Sequence, residues 1–257
     1  MNTKHFVKTD EEIAIMREGC QILASVMGKL EKKMAVGVTG LEVDQLAESL
    51  IREAGCEPAF KGYGAESGDP FPATVCFSVN EGIVHGIPTE RVIEDGDMIK
   101  IDIGLKHKGM FADMARSFLV GNVPEEAIAL VEVTRKAFNK GVATIKNGST
   151  LEEYARAVQE YAEGQGYHMV KNLVGHGIGH DLHEAPQIPN YVSKRMNNFT
   201  FKTGMTVAIE PMVNIGTEEV QIADDGWTFE TADGSLSAHW ENTILVTEKG
   251  SEILTKN

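Results

Sequence analysis

Apolar residues recur at helical spacing along the N-terminal part of the chain. Thr9 and Glu12 have the sequence pattern of a capping box, and the apolar series after them predicts a helix that ends within residues 34–37. Thr39 and Glu42 repeat this pattern ahead of another apolar series. The chain is therefore predicted to begin with a pair of amphipathic helices.

The spacing becomes strand-like after a loop. Residues 57–72 are rich in proline, glycine and aromatic residues, which is typical of a loop. VCFSVNE (75–81) alternates between apolar and polar positions as a strand does. Within residues 96–121, apolar runs flank a polar turn that closes on a glycine, which predicts a pair of antiparallel strands.

This predicted hairpin contains two aspartates at unusual positions. Asp102 falls inside the first apolar run, and Asp113 lies just ahead of the second. A hairpin that turns near Lys108 places both carboxylates side by side on one face of the sheet. A carboxylate among apolar strand residues is unfavourable unless it is paired or bound to a metal ion. The alternative interpretation puts one aspartate at a strand end and the other in a loop.

The same order of elements begins again in the second half of the chain. Pro124 opens a predicted helix, and Thr150 with Glu153 forms another capping box. GMTVAIE (204–210) then echoes GDMIKID (96–102), because each has a glycine and an apolar run that ends in an acid. Since these echoes occur at nearly the same offset, they predict a duplicated α+β unit.

The duplication predicts a single domain over residues 1–257, with an internal repeat of residues 10–121 and 124–250. Each half runs through helix, helix, loop and an acid-bearing strand, followed by a further acid and an apolar strand. We favour related halves within one domain over a pair of independent domains.

Composition narrows the class of protein. The chain has 257 residues, of which 42% are hydrophobic, and a formal charge of −14, which disfavours nucleic acid as a partner or substrate. It contains no apolar run long enough to span a membrane and no apolar N-terminal signal. Its 3 cysteines lack metal-type spacing, which is typical of a reduced, cytoplasmic protein.

The repeat brings further acids to the predicted site. Glu210 takes the place of Asp102 in the second half, and Glu241 takes roughly the place of Asp113. Carboxylates gathered in this way repel one another unless cations neutralise them, and a pair of divalent ions is the natural number. The histidine-rich segment GHGIGHDLHEAP (175–186) is the expected source of a nitrogen ligand.

Several motifs resemble those of type I methionine aminopeptidases, in the short bacterial form. They are VNEGIVHGIP, KIDIG, FADMARSF, GHGIGHDLHEAP, AIEPMV and SAHWENT, which occur in order across residues 79–243. The resemblance implies the α+β pita-bread fold, with duplicated helix–helix–strand halves related by pseudo-two-fold symmetry around a central antiparallel sheet. It also implies two divalent metal ions bound by Asp102, Asp113, His176, Glu210 and Glu241, with Asp113 and Glu241 bridging them.

The resemblance implies removal of the initiator methionine from nascent proteins when the second residue is small. The metal ions, which the sequence leaves open as cobalt, manganese, iron or zinc, would activate a bridging hydroxide that attacks the scissile carbonyl. Glu210 would shuttle the proton to the departing amine. His85 would face the scissile nitrogen, and His183 would hydrogen-bond the carbonyl oxygen.

An apolar pocket for the methionine side chain is also implied by the resemblance. Phe60 and Leu182 depart from the family pattern, where a cysteine and an aromatic residue are common, and residues 64–69 look like an insertion. The alternative for each pocket residue is ordinary core packing. The implied pocket residues are Phe60, Tyr63, Phe71, Cys76, Leu182 and Trp227, beside His85 and His183.

The remaining histidines receive other interpretations. His180 is expected to face solvent or to lie behind the metal ligands, and the surface is the expected location of His5, His107, His168 and His239. The expected partners are nascent polypeptide N-termini, with transient ribosome contact, no membrane and a monomeric state.

Two alternative functions stay open. One is a proline-specific aminopeptidase of the same fold, a group that usually carries an additional N-terminal domain for which 257 residues leave no room. The other is a non-catalytic module that binds peptides or ribosomes, a class that typically loses ligands, whereas none is missing from this sequence.

Overall fold

The helices begin close to their predicted starts, and the first helix ends just before the predicted residues 34–37. The computed structural model describes residues 6–193, 196 and 199–256. At the start of α1, the Thr9 hydroxyl accepts from the Glu12 N–H at 3.3 Å, and the Glu12 carboxylate accepts from the Thr9 N–H at 2.7 Å. Equivalent capping boxes open α2 and α4. The helices are α1 Asp10–Lys33, α2 Gly40–Glu53, α3 Glu125–Val142 and α4 Leu151–Gly164.

Antiparallel strands make up the sheets. The predicted loop at residues 57–72 contains a two-residue strand and a 3-10 turn at Ala65–Ser67. In chain order the strands are β1 Glu57–Pro58, β2 Val75–Val79, β3 Gly82–Val84, β4 Met98–His107, β5 Met110–Leu119, β6 His168–Met169, β7 Gly175–Gly177, β8 Glu184–Ile188, β9 Thr206–Ile209, β10 Met212–Asn214, β11 Val220–Ile222, β12 Phe229–Thr231, β13 Ser237–His239, β14 Asn242–Val246 and β15 Ser251–Ile253.

The described strands form separate hydrogen-bonded sheets. In one sheet β4 pairs with β1, β2 and β5, and another has the order β15-β14-β9-β7-β8. Smaller sheets have the orders β13-β10-β6 and β11-β12-β3. The first two sheets carry the site described below.

The β4–β5 hairpin extends further than its apolar pattern predicts. Asp113 was expected just ahead of the second strand, but it lies inside β5, directly opposite Gly104. Asp102 lies opposite Ala115 in the same ladder. Because side chains two residues apart share a face, Asp102 and Asp113 are diagonal neighbours on one side of the sheet.

A short seam joins this hairpin to the five-stranded sheet. The Ala115 N–H donates to the Glu241 carbonyl at 3.4 Å, and the Glu241 N–H donates to the Ala115 carbonyl at 3.0 Å. Beyond this pair, the Ser117 hydroxyl accepts from the His239 N–H at 3.0 Å and donates to the His239 carbonyl at 2.9 Å. The seam therefore holds β5 beside the segment that leads into β14.

Apolar side chains form clusters on the helical side of each large sheet. Leu23 of α1 and Ile51 of α2 pack with Ile101 of β4, all fully buried. Phe138 of α3 belongs to a second cluster with Val207 of β9. This arrangement places α1 and α2 behind the hairpin sheet, and it packs α3 and α4 with strands of the five-stranded sheet and of the β13-β10-β6 sheet. The internal repeat and the single-domain assignment stay predictions.

Candidate metal centre and substrate pocket

The acids and the histidine predicted as ligands lie together between the hairpin and the five-stranded sheet. Asp113, His176 and Glu241 each offer a ligand atom within 4.8 Å of the others. His176 Nε2 lies 3.9 Å from Asp113 Oδ2 and 3.6 Å from Glu210 Oε1. An ion with ligand distances of about 2.0–2.2 Å fits between atoms at such separations.

Strand pairing explains why these residues meet. Glu210 directly follows β9, and Glu241 directly precedes β14. Since Ile209 and Asn242 are opposite each other in the β9–β14 ladder, these glutamates emerge at the same end of it. His176 on β7 is opposite Ala208 on β9, so its imidazole reaches the same place.

Burial and mutual repulsion favour the protonated forms of these acids. Burial raises the pKa of Asp102 to about 7. Burial, together with the neighbouring carboxylates, raises the pKa of Asp113, Glu210 and Glu241 well above the usual range. A bound cation would offset both effects, because it favours the charged form of each carboxylate.

The site has the donor atoms that a divalent cation requires. Among the described residues, buried oxygens of Asp102, Asp113 and Glu241 have no hydrogen-bond partner. Since buried carboxylate oxygens without a partner are unfavourable, these atoms fit a metal ion. His176 Nδ1 lies 2.9 Å from the Gly177 carbonyl, which can only accept. The hydrogen therefore sits on Nδ1, and Nε2 keeps its lone pair for a ligand.

The two predicted catalytic histidines also line this cavity. His85 has φ of 59°, a conformation that is strained for a residue other than glycine, and its ring packs edge-on against Phe229 at 5.6 Å. Burial lowers the pKa of His85 to about 4. His183 lies with its ring centroid 4.4 Å from that of His176, and loss of water around it lowers its pKa. Both imidazoles are therefore neutral near pH 7.

The predicted pocket residues form an apolar wall of the same cavity, whose volume is about 500 Å³. Phe71 and Trp227 meet edge to face with ring centroids 5.2 Å apart. Phe60 packs above Gly104, where an added Cβ would come within 2.8 Å of the phenyl ring. The bulk of Phe60, which departs from the family pattern, is thus accommodated by a glycine in β4. Together with these residues, Tyr63, Cys76 and Leu182 line the wall.

A second apolar wall was not predicted from the sequence. Val84, Leu173, Val174 and Met212 line the cavity as well. Val84 and Met212 belong to a small buried cluster, against which Leu173 packs. The only local signal was the position of Val84 next to His85 and of Met212 in the AIEPMV motif.

Two surface predictions for histidines were wrong. His239 is 1% exposed, and its Nε2 lies 3.8 Å from Glu210 Oε2, directly behind a predicted ligand. His107 is buried between Cys56 Sγ at 3.3 Å and Glu18 at 3.2 Å. Residues from distant parts of the chain surround both histidines.

The other histidine predictions had different outcomes. His168 is exposed, as expected, and so is His180, which lies 2.7 Å from Glu12. His5 lies outside the described residues.

The loop that carries His183 is held from the N-terminal segment. The Lys8 ammonium, which is fully buried, lies 2.6 Å from the Glu184 carboxylate. The other Glu184 oxygen accepts from the N–H groups of His180 at 2.6 Å and Asp181 at 3.1 Å. Neither Lys8 nor Glu184 was singled out from the sequence, because this pairing is visible only in three dimensions.

The pita-bread fold and the cluster of possible metal ligands are those of a metallopeptidase. The model of metallopeptidase family M24 matches residues 14–248. The chain belongs to this family, and the resemblance inferred from the motifs is confirmed.

Relatives of matching length carry a more specific name. The methionine aminopeptidase of Clostridium acetobutylicum is 43% identical over 250 residues, which cover 97% of this chain and 98% of that protein. Methionine aminopeptidase 1 of Bacillus subtilis is 44% identical over 249 residues, with the same coverage of the two chains.

Solved structures confirm the predicted fold class. The methionine aminopeptidase of Thermotoga maritima superposes with a TM-score of 0.93 at 39% identity, covering 98% of this chain and 99% of that chain. The prolidase of Pyrococcus furiosus gives a TM-score of 0.78 at 25% identity, and the match covers 98% of this chain and 66% of the prolidase.

Proposed function

We propose that this chain is a methionine aminopeptidase that removes the initiator methionine from nascent proteins whose second residue is small. The observation that carries this proposal is a single cavity with an apolar wall, which includes Phe71 and Trp227, and a floor of acids around His176. A side chain held by the wall would bring the following peptide bond to the floor. The names of the full-length relatives support the same activity.

We propose that two divalent ions would be held at the floor by Asp102, Asp113, His176, Glu210 and Glu241. When bound, the ions supply Lewis acidity that polarises the scissile carbonyl and lowers the pKa of water. The partnerless buried oxygens of Asp102, Asp113 and Glu241 support this assignment. Carboxylate and imidazole ligands accept cobalt, manganese, iron or zinc.

The protein side chains move protons and hold the substrate. Glu210, whose Oε1 lies 3.6 Å from His176 Nε2 among the proposed ligands, would accept a proton from the attacking water and donate it to the departing amine. His85 holds the scissile nitrogen. His183 donates to the carbonyl oxygen, where negative charge develops in the transition state. A neutral imidazole can do this only if the nitrogen that faces the substrate carries the hydrogen.

Specificity for methionine follows from the apolar wall. An unbranched thioether packs well against aromatic edges, such as those of Phe71 and Trp227. Phe60, Tyr63, Cys76 and Leu182 complete the proposed methionine subsite.

The expected partners in the cell follow from this activity. We propose a monomer that acts on emerging polypeptide N-termini in the cytoplasm, with transient ribosome contact. Cys20, Cys56 and Cys76 are free thiols, in keeping with a reducing compartment. No described helix is long and apolar enough to cross a bilayer.

A proline-specific peptidase is the second candidate, because the fold is shared with the prolidase of Pyrococcus furiosus. One assay separates the candidates. Metal-free protein is reloaded with manganese or cobalt and offered Met-Ala-Ser and Ala-Pro peptides, with an EDTA-treated sample as control. We expect metal-dependent release of free methionine from the first peptide only. Cleavage of the Ala-Pro peptide alone would replace the proposal by the second candidate, and cleavage of neither would overturn both.

A further inference from the structure

The phenol of Tyr63 makes a close contact with His183 at the mouth of the cavity. Tyr63 Oη lies 2.6 Å from His183 Nδ1, and the two rings meet edge to face with centroids 5.0 Å apart. Tyr63 is 45% exposed, so burial in the core does not fix its orientation. The contact with His183 instead gives the phenol a defined position.

Backbone hydrogen bonds join the segment around Tyr63 to Phe71, on the other side of the apparent insertion. The Gly62 N–H donates to the Phe71 carbonyl at 2.8 Å, and the Phe71 N–H donates to the Tyr63 carbonyl at 2.9 Å. The Tyr63 N–H donates to the Phe60 carbonyl at 2.9 Å. These hydrogen bonds hold together the two ends of the apparent insertion at residues 64–69. The insertion therefore leaves Tyr63 beside the methionine subsite.

The direction of the hydrogen bond follows from the chemistry of the two groups. A neutral phenol is a good donor, and a neutral imidazole nitrogen is a better acceptor than a phenol oxygen. The favoured arrangement is thus a Tyr63 O–H that donates to His183 Nδ1. A neutral imidazole carries one hydrogen, so the His183 hydrogen then sits on Nε2.

We propose that Tyr63 is a positioning residue that fixes His183 as the Nε2–H tautomer and so lets this histidine donate to the substrate carbonyl. This inference rests on the proposed function, which assigns the carbonyl contact to His183. It gives Tyr63 a role beyond that of a pocket wall. It also links the loop that receives the methionine side chain to the residue that stabilises the reacting carbonyl.

The test is Tyr63→Phe, which keeps the ring and removes only the hydroxyl. At pH 7.5 with Met-Ala-Ser, we expect kcat to fall about 10-fold, a usual scale for losing a group that orients an active-site residue, while KM changes much less. Tyr191→Phe is the matched control, since its hydroxyl donates to the Lys171 carbonyl at 2.7 Å, and it should retain the wild-type kcat. An unchanged kcat in Tyr63→Phe, or a change confined to KM, overturns the proposal.

A double-mutant cycle separates action through His183 from direct action on the substrate. In a His183→Ala background, Tyr63→Phe should have no further effect on kcat. If the two effects multiply instead, Tyr63 acts independently of His183 and the proposal fails.

Nitrogen-15 NMR of the imidazoles reads the tautomer without any assay of activity. Wild-type metal-free protein should show His183 with hydrogen on Nε2, and Tyr63→Phe should shift it toward a mixture of tautomers. Hydrogen on Nδ1 in the wild type overturns the inference. If the wild-type protein does not cleave Met-Ala-Ser, the proposed function is overturned, but the spectroscopic result still stands. Failure of the proposed function and failure of the Tyr63 proposal are therefore distinguishable.

Discussion

Thr243 and Asp113 are bound to each other twice across the junction of the hairpin and the five-stranded sheet. The Thr243 hydroxyl accepts a hydrogen bond from the Asp113 N–H at 3.0 Å and donates one to the Asp113 carbonyl at 2.8 Å. Both residues are buried. The proposed ligand Asp113 is therefore held in place by the strand that follows another proposed ligand, Glu241.

Thr243→Val should weaken both the fold and the metal centre. The substitution keeps the shape of the side chain but leaves a buried N–H and a carbonyl of Asp113 without a partner, which costs about 1–3 kcal/mol. We expect a lower free energy of unfolding in urea. We also expect about 10-fold weaker metal binding in a chelator competition assay, because groups behind the ligands contribute on that scale.

Thr134→Val is the matched control for this substitution. Thr134 is equally buried, but its hydroxyl bonds to the Leu130 carbonyl within α3, far along the chain from the ligands. The metal affinity of the Thr134→Val variant should equal that of the wild type. Equal metal affinity in Thr243→Val would show that the threonine does not hold Asp113 in place for the metal.

Gly104→Ala should narrow the methionine subsite. The added Cβ would lie 2.8 Å from the Phe60 ring and 3.0 Å from the Ala59 Cβ, so the ring must move. Overpacking of this kind typically costs about 1–3 kcal/mol. We expect a higher KM for Met-Ala-Ser. We also expect kcat/KM to fall less for a peptide that begins with norvaline, whose side chain is shorter than that of methionine. Gly164→Ala is the control, because its Cβ meets nothing within 4 Å. A wild-type preference in Gly104→Ala would mean that Phe60 does not shape the subsite.

His85→Ala should separate catalysis from metal binding. His85 is not among the proposed ligands, so its loss should lower kcat by about 100-fold, the usual scale for a positioned hydrogen-bonding group, and leave metal content near normal. Metal analysis by mass spectrometry and steady-state kinetics check this. His168→Ala, at an exposed histidine, serves as the control. Metal loss in His85→Ala would place His85 among the ligands.

The hairpin and its acids could be predicted from the sequence, because alternating apolar residues and a glycine-closed turn are local signals. The start of β5 could not be predicted in this way. Asp113, Arg116 and Ser117 interrupt its apolar pattern. In the folded protein Asp113 lies among the proposed metal ligands, and the other two side chains have hydrogen-bond partners. Ser117 bonds to His239, and Arg116 donates to the Glu241 carbonyl at 2.6 Å and lies over the Trp240 ring. Polar residues in the strand thus mark the seam and the site, not the strand's end.

The errors for His107 and His239 have the same cause. A histidine has no strong preference for the interior, so its burial depends on what packs around it. His107 meets Cys56 and Glu18, and His239 meets Glu210. These partners lie far away in the sequence, and no periodic pattern records such a contact. The apolar wall with Val84 and Met212 was missed for the same reason.

Metal binding should weaken as the pH falls below 7. Burial raises the pKa of Asp102 to about 7, so in metal-free protein this carboxyl is mostly protonated at pH 6 and mostly ionised at pH 8. A metal ion must displace that proton at the lower pH, which weakens binding about tenfold for each proton displaced, and the raised pKa values of Asp113, Glu210 and Glu241 act in the same direction. His176 adds no such competition, because burial lowers its pKa to about 3. Calorimetric titrations at both values test this, and equal affinities would contradict it.

The most direct test of the central claim is the specificity of the metal-loaded protein on short peptides. We expect a kcat/KM for Met-Ala-Gly about 10- to 200-fold above that for Leu-Ala-Gly, since a misplaced branch in a tight apolar pocket costs about 1–3 kcal/mol. Met-Lys-Gly should resist cleavage, because the proposed activity requires a small second residue. Comparable kcat/KM values for Leu-Ala-Gly and Met-Ala-Gly, or efficient cleavage of Met-Lys-Gly, would contradict the account and indicate a general aminopeptidase.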